Sequence, residues 1–249
     1  MDIIAAHDLT IGYGRAEVLC DITFAIPRGR ITAVVGISGS GKSTLLKTLA
    51  GLLPPLGGGF DFDGCPVDYR SEASLGRLYA QIGVLYQDGG LLNGLNLYEN
   101  VALPVRMHYP ELPEGVVGDM VHAGLAQVEL ADSAEKFPSE LSGGMRKRGA
   151  LARALVLDPD LVFCDEPSSG LDPITSGRLD ELLLRVKARN QTTLVIVTHE
   201  LRSIEKVADR VLLLNDGGIR FSGEYADLAG TNDDFIRTFF LRKAHHDDA

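Results

Sequence analysis

The chain has 249 residues, 45% of them hydrophobic, which is enough for one α/β domain with a sizeable core and one inserted subdomain. Acidic side chains number 34 against 24 Lys and Arg, and the net charge of -10 argues against a nucleic-acid backbone as the main partner. Cys20, Cys65 and Cys164 lie far apart, without metal-ligand spacing and mostly within apolar runs, as buried free thiols of a reducing compartment would. No apolar stretch reaches the ~20 residues of a spanning helix, and MDIIAAHDL lacks a basic region followed by an apolar core, so membrane association is expected through a partner.

Residues 1 to 35 read as β, in short runs of Ile, Val, Leu and Thr broken at Gly12 to Arg15 and at Pro27-Arg28-Gly29. They predict a small antiparallel sheet leading into an apolar strand, Ile31 to Val35. Tyr13 sits in a turn-like G-Y-G, where its ring could stack on a nucleotide base for roughly 1 to 3 kcal/mol.

Next comes Gly36-Ile37-Ser38-Gly39-Ser40-Gly41-Lys42-Ser43-Thr44, which fits G-x-x-x-x-G-K-[ST] between that strand and a helix-compatible run, Ser43 to Leu53. The glycines let successive N–H groups converge on one spot, and the helix beginning near Lys42 adds roughly half a positive charge at its amino end. Phosphate belongs there. Lys42 is placed to reach β- and γ-phosphates, and the Ser43 hydroxyl to hold Mg²⁺ between them.

The helix is expected to stop at Pro54-Pro55, and Gly57 to Gly64 then reads as a hairpin closing the small sheet. Ile82 to Tyr86 forms a strand ending in Gln87. From about Leu97 to Leu157 the period turns helical, with Val117, Met120, Val121, Gly124, Leu125 and Val128 on one face, which predicts a helical insert. Within it, Ser142 is a natural N-cap, and Gly143 and Gly144 leave that helix end open to a second anion. The basic triplet Arg146-Lys147-Arg148 that follows is of a kind that ordinarily forms a solvated face.

The strand Leu161 to Cys164 delivers Asp165 and Glu166. One carboxylate can serve Mg²⁺, and its neighbour can orient or deprotonate the attacking water. Asp172-Pro173 starts an amphipathic helix with Leu179, Leu182, Leu183 and Val186 on one face, and the strand Thr193 to Thr198 terminates in His199. A short helix and a hairpin over Arg210 to Gly223, turning at 215 to 218, complete the sheet. Phe235, Ile236, Phe239 and Phe240 form a helical seam that docks on the domain or on a partner, and His245-His246-Asp247-Asp248 reads as a solvated tail.

Taken in order, the loop at Gly36 to Thr44, Gln87, Leu141-Ser142-Gly143-Gly144, Asp165-Glu166, Asp172 and His199 resemble the nucleotide-binding subunit of ATP-binding-cassette (ABC) transporters across essentially the whole chain. The resemblance implies an α/β fold: a P-loop NTPase (RecA-like) core with an antiparallel β subdomain over 1–87 and 158–230, a helical signature subdomain over 88–157, and a C-terminal helix and tail over 231–249. It further implies an ATPase with ATP and Mg²⁺ as cofactors. In the family's terms Tyr13 looks like the base-stacking aromatic, Gly36, Ser38, Gly39, Ser40, Gly41, Lys42, Ser43 and Thr44 like the Walker A loop, and Gln87 like the Q-loop glutamine that senses Mg²⁺. Ser142, Gly143 and Gly144 resemble the signature loop, Asp165 the metal carboxylate, Glu166 the catalytic glutamate, Asp172 the D-loop aspartate and His199 the switch histidine.

Two such subunits pair head to tail, each signature loop closing over the other's ATP, beneath an integral membrane permease on the cytoplasmic face of the inner membrane. Met145 departs from the family, which usually has glutamine there. That methionine, with the stretches at 86–92 and 170–175 and the Phe-Ile-Arg-x-Phe-Phe ending, looks like the Mla/Mce-type branch, which moves phospholipid or other lipid and has accessory lipid-binding and cytoplasmic subunits. An amino-acid or metal importer ATPase shares the same core motifs. A cassette ATPase acting on DNA or ribosomes usually carries two cassettes or long coiled coils, which this chain lacks, and a kinase has no need of Leu-Ser-Gly-Gly.

Overall fold

The computed structural model describes residues 1–244, so the tail at His245 to Asp248 lies outside the described residues. Two long strands open the chain, β1 (Asp2–Tyr13) and β2 (Ala16–Pro27), antiparallel and joined by a turn with Gly14 at φ 62°. After β3 (Ile31–Gly36) and the glycine loop comes α1 (Lys42–Leu49). This helix ends four residues before Leu53, because Gly51 takes φ 77° and its N–H turns back to the Thr48 carbonyl, so the prolines are not what stops it. Then β4 (Gly57–Phe62) and β5 (Cys65–Pro66) add to the first sheet, giving the order β2-β1-β4-β5.

The helix α2 (Glu72–Gln81) has no counterpart in the periodicity reading, although Ser71 caps it by accepting from Ser74 N at 3.2 Å. It runs directly into β6 (Ile82–Leu85). The insert supplies α3 (Leu97–His108), α4 (Glu114–Gln127) and α5 (Gly143–Leu155), with short 3-10 turns between the last two. Val117, Val121, Gly124, Leu125 and Val128 are buried as their spacing predicts, and Met120 packs against the same cluster. The remaining elements are β7 (Leu161–Asp165), α6 (Pro173–Asn190), β8 (Thr193–Val197), α7 (Leu201–Val207), β9 (Arg210–Asn215), β10 (Gly218–Glu224) and α8 (Asp234–Ala244).

The larger sheet has the order β10-β9-β3-β8-β7-β6, parallel from β9 to β6 with β10 antiparallel at one edge. Its strands are near-continuous apolar runs because helices or the smaller sheet cover both faces. Within β7 the alternation is plain: Val162 and Cys164 enter the core under the helical insert, while Leu161 and Phe163 enter the one shared with α1 and the first sheet. In α8, Ile236 and Phe239 dock on a third cluster with Ile204, Val211 and Leu213, so its seam faces the domain. Cys20 N donates to Gly217 O at 3.0 Å, tying the two sheets together. All three cysteines are free, but Cys20 and Cys65 are exposed and only Cys164 is buried. The first two occupy outward positions on strands of the smaller sheet, which apolar neighbours in sequence do not reveal. Among the described residues no helix is long and apolar enough to cross a membrane.

Candidate functional site

Four adjacent parallel strands, β3, β8, β7 and β6, point their carboxyl ends the same way, and that shared edge brings distant residues together. A cleft of about 610 Å³ there is lined by Gly36, Ser38, Gly39, Gly41, Lys42, Ser43 and Thr44, with Gln87, Asp165, Glu166 and His199 from the other strand ends. Val18, a residue that the motifs do not mark, completes the wall from β2. Ser40 is buried beneath the loop at 8% exposure instead of lining it. Tyr13, half exposed at the end of β1, is not among the lining residues.

The loop is shaped for an anion. Gly41, the residue before α1, takes φ 97°, and a Cβ there would lie 2.9 Å from Val18 Cγ1, so backbone conformation and space both call for glycine. No side chain caps the helix, and its first turn holds no acid, which leaves its leading N–H groups for a ligand. Lys42 Nζ donates to the carbonyls of Gly36 at 3.0 Å and Ile37 at 2.9 Å, folded over the loop that a phosphate would occupy.

Opposite the loop stand the carboxylates. Burial, then the neighbouring Glu166, push the Asp165 carboxyl above its ordinary value, opposed by Lys47, Lys147 and Lys42. Glu166 has φ 45°, a left-handed conformation costing roughly 1 to 2 kcal/mol in an L-residue. Its Oε1 lies 2.8 Å from His199 Nδ1, within hydrogen-bond distance, while Oε2 is buried with no hydrogen-bond partner. A carboxylate lining the phosphate cleft, with one oxygen left unpartnered, is chemically able to accept a proton.

Ser43, Gln87 and Asp165 offer hard oxygen donors of the kind Mg²⁺ takes, and with waters completing its shell such an ion needs only one or two protein ligands. The residues therefore fit the ion. Among the described residues no cluster of three or more His, Cys, Asp and Glu could hold a metal ion by itself.

The remaining motif residues lie apart from this cleft. Ser142 caps α5, its Oγ accepting from Met145 N at 3.2 Å, and Asp172 caps α6 by accepting from Ile174 N and Thr175 N at 3.1 and 3.0 Å. Gly144 is needed by the chain itself: a Cβ there would stand 2.5 Å from Thr175 Cγ2, where the starts of α5 and α6 meet. Gly143, at the tip, has only Leu171 and Arg146 within 4 Å of such an atom and stays open. Met145 packs partly buried against the helical core.

The basic triplet departs from its solvated reading. Lys147 is 6% exposed, because residue 147 falls on the inner face of α5 beside Gly144 and Ala150. Its signal, a cation at helical spacing with buried small residues, is weak in sequence.

The family described as ABC transporter matches residues 19–169. The chain is 39% identical over 236 residues to the probable ribonucleotide transport ATP-binding protein mkl of Mycobacterium tuberculosis, covering 95% of this chain and 66% of the relative, so it spans slightly under two thirds of that protein. It is 36% identical over 238 residues to the intermembrane phospholipid transport system ATP-binding protein MlaF of Escherichia coli, covering 96% of this chain and 88% of that one. A dimeric structure of the ATP-binding cassette MJ0796, in a post-hydrolysis state bound to ADP and Pi, superposes with a TM-score of 0.80 at 27% identity, over 89% of this chain and 98% of that one. The family match over residues 19–169, which takes in the phosphate loop and both strand-end carboxylates that share one cleft with His199, places the chain in the ABC transporter family.

Proposed function

We propose that the protein is an ATPase that powers a membrane transporter, hydrolysing ATP to ADP and phosphate, with phospholipid or another lipid as cargo. The observation that carries the hydrolytic reading is the juxtaposition in one cleft of the Lys42 loop with a Glu166 oxygen left unpartnered beside His199. In this reading Lys42 and the leading N–H groups of α1 bind the phosphates, Lys42 exchanging the Gly36 and Ile37 carbonyls for phosphate oxygens. Ser43, Asp165 and Gln87 would hold Mg²⁺, which neutralises charge developing on the transferred phosphoryl group. The Glu166 carboxylate accepts the proton of the attacking water, while His199, 2.8 Å from Oε1, keeps that carboxylate aimed.

Ser142, Gly143, Gly144 and Asp172 serve a second copy. They lie outside their own chain's cleft, and the open tip at Gly143 suits a phosphate held elsewhere. Head-to-tail pairing brings them over the partner's nucleotide, with Tyr13 stacking on the base at its own cleft's rim. Each charged contact to the γ-phosphate contributes on the order of 1.5 to 3 kcal/mol, so triphosphate closes an interface that diphosphate releases. Residues 88–157 form the helical arm that swings in this closure, and 1–87 with 158–230 form the nucleotide-holding core.

The likeness to MlaF, an intermembrane phospholipid transport ATP-binding protein, supports the lipid cargo; the reading adds a permease partner with accessory lipid-binding and cytoplasmic subunits, and a place on the cytoplasmic face of the inner membrane. The test is to purify the chain with whatever membrane protein accompanies it, then measure MgATP turnover and lipid transfer between vesicles. Turnover without lipid transfer, but with uptake of an amino acid or metal, would replace the cargo assignment.

A further inference from the structure

The middle residue of the basic triplet, Lys147, carries a role that the motifs do not. Lys147 Nζ donates to two backbone carbonyls, those of Gln87 and of Glu166, the latter at 3.1 Å. These carbonyls belong to residues that follow β6 and β7 at the phosphate cleft, and α5, which carries Lys147, is capped by Ser142. Nearby, Arg153 of the same helix donates to Gly90 O at 2.7 Å and Gly89 O at 3.0 Å. The segment it holds needs holding, since Gly89 and Gly90 take φ 77° and 62°. Glu166, with φ 45°, is a further such conformation; its N–H donates to Val197 O at 2.8 Å and its carbonyl accepts from Ser169 N at 3.2 Å, and of the two α5 cations Lys147, not Arg153, adds a side-chain donor to that carbonyl. Asp88, Glu166, Asp165 and Glu200 surround the buried ammonium with compensating charge.

We infer that Lys147 is a positioning residue, a buried ammonium that fastens the signature helix to the backbone of both the Q-loop glutamine and the catalytic glutamate. It makes the geometry of hydrolysis depend on where α5 sits. A partner's nucleotide engaging Ser142 and Gly143 at the head of that helix is thereby felt, one turn further on, at the carbonyl of Glu166. The inference rests on the ATPase reading for its consequence, though the tether itself does not.

Lys147→Met, which keeps the length and removes the donor, is compared with wild type and with Arg153→Met, all without nucleotide. Amide exchange over 87–90 and 166–171 speeds up about fivefold or more in Lys147→Met, whereas Arg153→Met loosens only 87–90. In MgATP turnover, kcat of Lys147→Met falls about fivefold or more while KM stays within about threefold, as misplacement of the reacting groups requires, and Lys147→Arg recovers at least half of the loss. Should Lys147→Met fail to fold, Lys147→Leu, which also lacks a donor, is read in its place against the same thresholds. Unchanged exchange over 166–171, a smaller fall in kcat, or an equal rise in KM overturns the inference. Absence of turnover in wild type would instead defeat the ATPase reading, and the exchange comparison would still judge the tether.

Discussion

Glu166→Gln removes one charge and almost no volume, so its effects separate chemistry from folding. The glutamine fills the same buried space beside His199, 2.8 Å away, and no cavity forms, so stability should stay within about 1 kcal/mol of wild type. What disappears is the basicity of a carboxylate that lines the cleft and leaves Oε2 without a partner. A positioned general base supplies roughly 10² to 10⁴ in rate, or about 2.7 to 5.4 kcal/mol of barrier at 1.36 kcal/mol per decade. Nucleotide binding should survive, because Lys42, Ser43 and the loop N–H groups are untouched. Single-turnover hydrolysis of labelled MgATP reads the first quantity, and light scattering reads the dimer that unhydrolysed ATP should trap. Hydrolysis within about threefold of wild type would refute the role given to Glu166. A variant that stays monomeric in saturating MgATP, with its membrane subunit supplied, would refute the shared-nucleotide arrangement.

Lys42→Ala should weaken ATP binding about 100-fold, roughly 2.7 kcal/mol, by removing charged contacts to two phosphates, and equilibrium titration with a fluorescent ATP analogue measures it. Asn100, fully buried, accepts from Leu92 N at 2.7 Å and donates to the carbonyls of Leu92, Leu95 and Asn96 at 3.1, 3.0 and 2.9 Å. Asn100→Ala removes the side-chain partner of Leu92 N and of the Leu95 carbonyl, while Asn96 O keeps Asn100 N and Leu92 O keeps Leu95 N, and should cost about 2 to 4 kcal/mol by urea denaturation. Glu224 is held below the usual carboxylate range by hydrogen bonds from Arg30 and then, against some desolvation, from Arg210. A depressed folded value means this contribution is present above the unfolded value of about 4.3 and is lost as pH falls through the folded one. The gap in urea midpoint between wild type and Glu224→Gln should therefore be open at neutral pH and close below about pH 4; a gap independent of pH would count against the ion pairs.

Much of the fold was legible because its elements are punctuated and periodic. Leu179, Leu182, Leu183 and Val186 are all buried on one face of α6, and Asp172-Pro173 marks its start. Where reading failed, a competing local force acted. Gly51 ended α1 ahead of the prolines, and the cap at Ser71 opened a helix, buried at Leu78, that its mixed composition concealed.

By itself the amino-acid sequence determined the chemistry on offer: a glycine loop with Lys42, two adjacent carboxylates after an apolar strand, and a histidine after another, since spacing of residue types within one element survives in one dimension. Only the tertiary structure decided which of these share a cleft, because parallel pairing of β3, β8, β7 and β6 sets their carboxyl ends side by side across more than a hundred residues of chain. It decided likewise that Lys147 lies inside while its charged neighbours do not. The burial of an ammonium depends on carbonyls donated by two other strands' ends, and no local pattern carries that information.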